Sequence, residues 1–255
     1  MTQKPPRRRG RPTRTVLDPA RIVATARELL ETVGEGFTMT MLARRLGVAP
    51  SSLYNHVGSK DEVLARISDD VARGIDASAL AGLTEGADPD APDIETSPEA
   101  VPGIEAAALP PTDPAARAAA WRDAAEAWAR SYFQAFSAQP SMVAALALTP
   151  VAQAPQTLQM YETVIRGFLA AGWPEPLVLR VVETLEAFLL GSALDAAAPQ
   201  DIFAPGALSS RFPVMARVHG LYETTGGPAA ATEAFEIGLD GILTGLERRL
   251  TRILG

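Results

Sequence analysis

Residues 38–64 read TMTMLARRLGVAPSSLYNHVGSKDEVL, and this stretch decides the fold of the N-terminal part of the chain. Thr38 is the type of residue that caps a short helix, and Gly47 suits the positive φ of a tight corner. Pro50 then opens a second short helix that runs to about Val57. Two short helices joined at a glycine corner predict a helix-turn-helix, which places its second helix in the major groove of DNA.

Further helices are predicted on both sides of this motif. Asp18 followed by Pro19 is an N-cap and first-turn signal, and Ser59 with Glu62 three residues later is a capping box. Apolar residues then recur at helical spacing, with Leu53 and Val57 as core of the unit. The helix before the motif carries Ile22, Val23, Ala26, Leu29, Leu30 and Val33. We therefore predict a helix-turn-helix DNA-binding domain over residues 18–66, preceded by a flexible basic arm over residues 1–17.

The distribution of charge agrees with nucleic-acid binding. The 255-residue chain has a net charge of −7, which by itself is not typical of a DNA-binding protein. Residues 1–66, however, hold 12 Lys and Arg against 6 Asp and Glu, a net +6, whereas residues 67–255 carry a net −13. The basic part is the part with the motif.

Composition excludes several classes of protein. Cys is absent, so disulfides and thiolate metal sites are excluded. The basic N-terminus lacks the apolar segment of a secretory signal, and no window approaches 18 apolar residues, so we expect a cytoplasmic protein that does not enter a membrane. No catalytic constellation or phosphate loop is present, and paired acids such as Glu183 and Glu186 are interpreted as solvated or interfacial helix positions. His56 and His219 lie in different domains and therefore cannot share a metal site. From these observations together we expect no enzyme, no cofactor and no metal.

Residues 67–255 predict a larger helical domain. Asp113-Pro114 repeats the cap signal and opens a long helix to about Ser137, and further helices are expected near 140–149, 155–171, 175–195, 207–222 and 229–252. Residues 82–114 contain seven Pro, no aromatic residue and no Lys or Arg, which predicts a flexible insertion. The fold class is therefore all-α, with two domains.

Aromatic side chains are concentrated in this second domain, where they form two stripes. Functionally, such stripes line a largely apolar small-molecule cavity, and structurally they are core; both interpretations stay open. The candidates for a ligand pocket are Trp121, Trp128, Tyr132 and Phe136 on one helix, with Tyr161, Ile165 and Phe168 on a later one.

The run LDPARIVATARELLETVGEGFTMTMLARRLGVAPSSLYNHVGSKDEVLARI, residues 17–67, resembles the TetR family of bacterial repressors. The landmarks are Phe37-Thr38, LARRLGV and SLYNHVGSKDEVL. The closing FEIGLDGILTGLERRL is similar to the family's tetracycline-repressor-like C-terminal domain. The resemblance implies a homodimeric repressor released from a palindromic operator in double-stranded DNA by a small-molecule inducer. An effector-independent DNA-binding dimer and an activator are the alternatives.

The resemblance also implies roles for individual residues. Asn55 would read adenine bidentately, whereas hydroxyl and imidazole groups make less discriminating single hydrogen bonds. Ala49 stands where relatives often carry a capping Ser. The residues expected to face the groove are Ser51, Ser52, Asn55 and His56, and those expected at phosphates are Thr38, Thr40, Tyr54 and Lys60. Arg9 and Arg11 of the arm either enter a minor groove or attract phosphates without specificity.

Two helices are candidates for the dimer interface that the resemblance implies. One carries Val178, Val181, Leu185 and Phe188, and the other carries Leu239, Ile242 and Leu246. Glycines on the second helix allow close approach of a neighbour. Paired across a two-fold axis, these helices would form a four-helix bundle. The alternative is that one or both pack within the protomer.

Overall fold

The structure, a computed structural model, describes residues 17–84, 113–199, 201–225 and 230–255. These residues form eleven α-helices and three single-turn 3-10 helices, with no strand among them, and the all-α prediction is confirmed. The helices are α1 (Pro19–Val33), α2 (Met39–Leu46), α3 (Pro50–Tyr54), α4 (Lys60–Ala72), α5 (Ser78–Gly82), α6 (Pro114–Ser137), α7 (Pro140–Ala147), α8 (Pro155–Ala171), α9 (Glu175–Asp195), α10 (Pro213–Thr225) and α11 (Ala230–Leu254).

Helices α1 to α4 begin where the local signals predict. The side chains of Asp18, Thr38 and Ser59 each accept a hydrogen bond from a first-turn amide of α1, α2 and α4, respectively. Gly47 ends α2 with a φ of 72°, a left-handed conformation that costs side-chain-bearing residues energy, so the corner requires glycine. One difference is that α3 ends at Tyr54, earlier than the predicted end near Val57.

Helix α4 belongs to both parts of the chain. Its apolar side chains Val63, Leu64, Ile67 and Val71 are buried, and it packs against α1 on one side and against α7 and α8 on the other. The predicted domain limit at residue 66 lies inside this helix. A shift of α4 therefore necessarily changes its contacts with one side or the other.

The C-terminal part is organised around α6, which packs against α11, α9, α8 and α5. Its apolar face, which includes Trp121, Trp128 and Phe133, is buried. Helix α5, which the sequence did not predict, crosses α8 so closely that a Cβ at Gly167 would lie 2.6 Å from the backbone oxygen of Leu80. Glycine at this position is what permits the crossing.

Two sequence predictions fall partly or wholly outside the described residues. The arm with Arg9 and Arg11 precedes residue 17, and residues 85–112 make up most of the predicted insertion. Within the described part of the chain, none of the helices combines the length and the apolar character needed to cross a bilayer.

Candidate DNA-binding surface and effector cavity

Helix α3 is anchored by one buried side chain and presents its other side chains outward. Pro50 occupies its first position, where an amide hydrogen would have no partner inside the helix. Ala49 before it makes no side-chain cap, whereas Leu53 is fully buried and holds the helix to the core. The exposed side chains of the helix and the following turn are those of Ser51, Tyr54, Asn55 and His56, with Ser52 half-buried. All five are accessible to DNA, and their contacts with it stay predictions.

The turn after α3 is held by two charged side chains of α4. The backbone amide of Gly58 donates to Oε2 of Glu62 at 2.6 Å. Arg66 donates to the backbone oxygen of His56 at 3.0 Å and pairs with Oε1 of Glu62 at 2.7 Å. The backbone amide of Glu62 donates to the hydroxyl of Ser59, while the carboxylate of Glu62 accepts from the amide of Gly58, one residue before the cap. The orientation of α3 is therefore tied to α4.

Helix α2 contributes a second exposed set of side chains beside α3. Thr40 is exposed, whereas the hydroxyl of Thr38 accepts from the amide of Met41 at 3.2 Å and serves as the cap. Arg44 lies one turn after Thr40 on the same face and is exposed, and its side chain makes no hydrogen bond or ion pair to the described residues. Arg44 is not among the predicted DNA-contact residues, although its spacing of four from Thr40 places both on one helix face.

Lys60, at the start of α4, is half-buried, with Nζ placed 4.7 Å from the centre of the Phe37 ring. This cation–π contact orients the side chain near the beginning of α2. The predicted phosphate contact of Lys60 stays a prediction.

A cavity of about 110 Å3 lies inside the C-terminal part. Side chains from α4, α6, α8 and α9 line it, and so do residues between α7 and α8. Of the seven predicted pocket residues, three line this cavity. The lining that matters for its chemistry comprises Ser68, Tyr132, Phe136, Thr157, Tyr161 and Glu186.

Glu186 was predicted to be a solvated or interfacial helix position, and this prediction is wrong. Glu183, three residues earlier on α9, is exposed, whereas Glu186 lies in the cavity wall and accepts a hydrogen bond from the hydroxyl of Tyr161. Burial raises the pKa of Glu186 above its usual value. Burial also raises the pKa of the Tyr132 and Tyr161 hydroxyls, and the charge of Glu186 adds to both shifts, so both tyrosines stay protonated and act as donors.

The other predicted pocket residues lie away from this cavity. Trp121 and Phe168 are fully buried, with ring centres 5.3 Å apart, and Trp121 also contacts Trp173. Trp128 packs edge-on behind Tyr132 at 5.6 Å, and Ile165 lies half-buried against the core. These four residues form packed core around the cavity instead of its lining.

The cavity wall is joined to α4 by a buried carboxylate. Oδ1 of Asp69 accepts from the backbone amides of Gln156 and Thr157, at 2.9 and 3.0 Å, and from the Thr157 hydroxyl at 3.2 Å. These are first-turn amides of α8, which has no cap of its own. The hydroxyls of Ser68 and Thr157, both in the lining, lie 3.2 Å apart. Asp69 thus caps a helix of the C-terminal part from α4.

A larger groove of about 660 Å3 follows α1 and α4, but its chemistry is that of an ordinary surface. It is open to solvent, and Asp70 within it pairs with both Arg27 and Arg73. The small enclosed cavity is the better candidate for a binding site. Neither this groove nor any other part of the described chain brings together three His, Cys, Asp or Glu side chains that could hold a metal ion.

Most side chains predicted for the dimer interface face inward within the protomer. Val178, Val181, Leu185 and Leu239 are buried, and Phe188, Ile242 and Leu246 are half-buried. Phe188 lies against Gly238, where a Cβ would come within 2.5 Å of the ring. Packing inside the protomer therefore buries four of these seven side chains and part of the other three, and their role in a dimer interface stays a prediction.

The opposite sides of α9 and α11 include several small residues beside larger exposed ones such as Leu179 and Ile237. A groove of about 390 Å3 between the two helices is lined in part by Ala187, Gly191 and Ala234. On α11, Gly241 and Gly245 are exposed, and a Cβ at either position would meet nothing within 4 Å.

Helix α10 carries a further exposed apolar surface. Val214, Val218 and Leu221 are 65%, 51% and 59% exposed, and they recur at helical spacing on one side of the helix. These three side chains leave one side of α10 apolar and exposed.

Comparisons with known proteins agree with this architecture. Residues 22–67 match the family model described as bacterial regulatory proteins, tetR family, and residues 113–250, just over half of the chain, match the model described as tetracyclin repressor-like, C-terminal domain. A search of proteins with curated functions finds no significant match.

Solved structures share the fold over nearly the whole chain. A Streptomyces coelicolor protein described as a possible TetR family transcriptional regulator gives a TM-score of 0.62 at 20% identity, covering 91% of this chain and 99% of that one. ActR of Streptomyces coelicolor in complex with actinorhodin gives 0.59 at 22%, covering 92% and 99%. A TetR variant of Acinetobacter baumannii in complex with minocycline gives 0.53 at 21%, covering 91% and 98%.

The exposed α3, the glycine corner before it and the match to both family models lead to one conclusion. The chain belongs to the TetR family and is a DNA-binding transcriptional regulator.

Proposed function

We propose that this regulator is a dimeric repressor that leaves a palindromic operator when a small molecule enters the cavity lined by Tyr132, Tyr161 and Glu186. The observation that carries the proposal is the double attachment of α4. Arg66 binds the turn after α3, and Asp69, three residues later, caps the helix that forms the cavity wall. Less than one helical turn separates the two attachments.

The attachments suggest how occupancy of the cavity reaches the DNA. At about 110 Å3 the cavity is smaller than the usual 300–1,000 Å3 or so of a ligand site, so a bound molecule must displace part of the lining. Thr157 and Ser68 belong to that lining and lie on either side of the contact between α8 and α4. Displacement there shifts α4, and Arg66 transmits the shift to α3. The ligand and DNA then favour different positions of α4, which is the requirement for coupling between two sites.

We assign base recognition to α3 and phosphate contacts to its surroundings. Asn55 is exposed at the end of α3 and can pair bidentately with adenine, and Ser51 and His56 can add single hydrogen bonds. Thr40, Arg44 and the helix start near Lys60 would contact phosphates.

Binding to the intergenic DNA upstream of the protein's own gene, compared with scrambled DNA across a salt series, tests the proposal. We expect a preference of roughly 10³-fold with a steep loss of affinity as salt rises. Equal and weak binding to both DNAs would contradict a specific repressor at this site.

Three variants separate base recognition from phosphate binding. Asn55→Ala should cost about 1–3 kcal/mol on the preferred sequence and relax discrimination at one base pair. Arg44→Ala, and likewise Tyr54→Ala, should weaken binding to all sequences by similar factors; loss of the Arg44 charge should also reduce the salt slope by about one. An Asn55→Ala protein with unchanged affinity and sequence preference would refute the assignment of α3 to the groove.

We further propose that two copies pair through the small-residue faces of α9 and α11, with Gly191, Ala187, Ala234, Gly241 and Gly245 at the contact. Small side chains let two helix backbones approach closely, and a palindromic operator requires two reading helices. The apolar face of α10 is assigned to the same partner.

Light scattering after size exclusion tests the pairing. Wild type should have the mass of two 26.9 kDa chains, and Gly241→Leu should shift the mass toward one chain because its added side chain fills the contact. Gln159→Leu, which also places a leucine at an exposed helix position but on α8, should leave the dimer intact. A dimer unaffected by Gly241→Leu would place the interface elsewhere.

A further inference from the structure

The lining of the cavity carries a single ionisable acid and no basic group. Glu186 is its one carboxyl, and among the lining residues that the structure describes there is no Lys, Arg or His. The remaining polar groups are hydroxyls, such as those of Ser68 and Thr149. The charge balance of the cavity is therefore negative or neutral, and never positive.

Glu186 is satisfied as a hydrogen-bond acceptor but not as a charge. The hydroxyl of Tyr161 donates to Oε1, and the hydroxyl of Tyr132 belongs to the same network. Hydroxyl donors supply no positive charge, and burying a carboxylate without a cation is costly. Burial raises the pKa of Glu186, in keeping with that cost. A positively charged ligand group would supply the counter-charge that the hydroxyls cannot.

Aromatic rings line the same cavity as this carboxyl. The rings of Tyr132 and Phe136 stack with centres 4.8 Å apart and planes inclined by 19°, and both residues line the cavity. Trp128 holds Tyr132 from behind, so the pair is fixed in place. The faces of such rings attract an ammonium group and also pack against an aryl or alkyl group.

We propose that the cavity binds a small organic cation, in which an ammonium group pairs with Glu186 and an apolar aryl or alkyl part packs against Tyr132 and Phe136. This inference rests on the proposed function, because it names the class of molecule that releases the repressor. An anion is disfavoured, since the lining offers it no basic group and Glu186 would repel it. A neutral molecule can use the hydroxyls but leaves Glu186 without a counter-charge.

Three compounds of nearly equal size and different charge test the proposal. Isothermal titration of the dimeric protein without DNA would compare benzylammonium, benzyl alcohol and benzoate at neutral pH. We expect benzylammonium to bind at least about tenfold more tightly than benzyl alcohol, with benzoate the weakest. Glu186→Gln should bring benzylammonium to within about threefold of the alcohol. Glu183→Gln removes an exposed acid of the same helix and should leave the preference unchanged.

The titration tests the ligand class, and the DNA-binding comparison tests the repressor, so the two outcomes are independent. Binding of benzyl alcohol or benzoate as tightly as benzylammonium, an unchanged preference in Glu186→Gln, or no binding of the cation overturns the inference. DNA binding of the unliganded wild type, measured in parallel, decides the proposed function on its own. Specific DNA binding without cation preference would therefore reject the ligand class and retain the repressor. Cation binding without specific DNA binding would do the reverse.

Discussion

The DNA-reading part and the cavity are built over different distances in the sequence. The side-chain hydrogen bonds at the cap of α2 and at the turn after α3 join residues between Thr38 and Arg66 that are at most ten positions apart. The cavity instead joins Ser68, Tyr132, Tyr161 and Glu186, which come from four helices. A part made of local contacts is determined by capping and turn signals, whereas a part made of distant ones depends on how whole helices pack.

The two parts also differ in what their side chains do. On α3 the functional side chains are exposed and one buried residue, Leu53, holds the helix in place. In the cavity the functional side chains are themselves largely buried and make part of the packing. A substitution can therefore displace α3 and leave the cavity unchanged. Few substitutions, in contrast, can change the cavity lining without lowering the stability of the fold.

Leu53→Ala should produce the largest effect and show the two parts to be separable. Removing a fully buried leucine costs about 2–5 kcal/mol, and here the loss falls on the helix-turn-helix. We expect DNA affinity to fall by at least about 100-fold, with faster hydrogen exchange over residues 38–57 and unchanged exchange over residues 175–195. Ser51→Ala, a substitution at an exposed position of the same helix, should leave hydrogen exchange unchanged in both regions. Faster exchange in both regions would mean that the whole chain unfolds as one unit.

Local construction explains what could be predicted from the sequence. The caps at Asp18, Thr38 and Ser59 and the corner at Gly47 are each decided by neighbouring residues, and the structure confirms them. Most helices after residue 113 also lie near their predicted positions, because Pro and Gly mark their limits, but α10 begins at Pro213 and not near residue 207.

Packing explains what could not be predicted. Glu186 lies four residues after Val182 and three before Leu189, so helical spacing puts it beside the apolar face of α9, but the segment does not show what that position meets. Only the approach of Tyr161 on α8 makes it a buried cavity group. Likewise, the apolar stripes of α9 and α11 indicate that a face is buried, but not whether a protomer or a partner covers it.

Asp69→Ala should sharpen the comparison at the point where the two parts meet. Losing the cap leaves first-turn amides of α8 without their partner, so we expect faster hydrogen exchange over residues 151–160 and a loss of stability of about 1–2 kcal/mol. Asp70→Ala removes only partly exposed ion pairs and should cost less than about 1 kcal/mol.

The same variant tests the coupling without any effector. Because coupling between sites is reciprocal, operator DNA should change the exchange of residues 151–160 in wild type. In Asp69→Ala that response should disappear, whereas Asp70→Ala should keep it. A DNA response that survives in Asp69→Ala would show that the cavity wall and α3 communicate by another route.

The smallest expected effect is a pH dependence of stability that originates in the cavity. The pKa of Glu186 is raised by burial, so the folded chain holds this proton more tightly than the unfolded chain does. Its contribution to stability is therefore present below the ordinary glutamate value of 4.5 and is lost as pH rises through the raised folded value. Glu186→Gln cannot ionise and avoids this loss. Its melting temperature relative to wild type should increase between about pH 4 and about pH 8, whereas that of Glu183→Gln should stay level. If the difference in melting temperature between Glu186→Gln and wild type stayed constant with pH, the cavity carboxyl would be as well solvated as an exposed side chain of α3. The two parts would then not differ in their electrostatics.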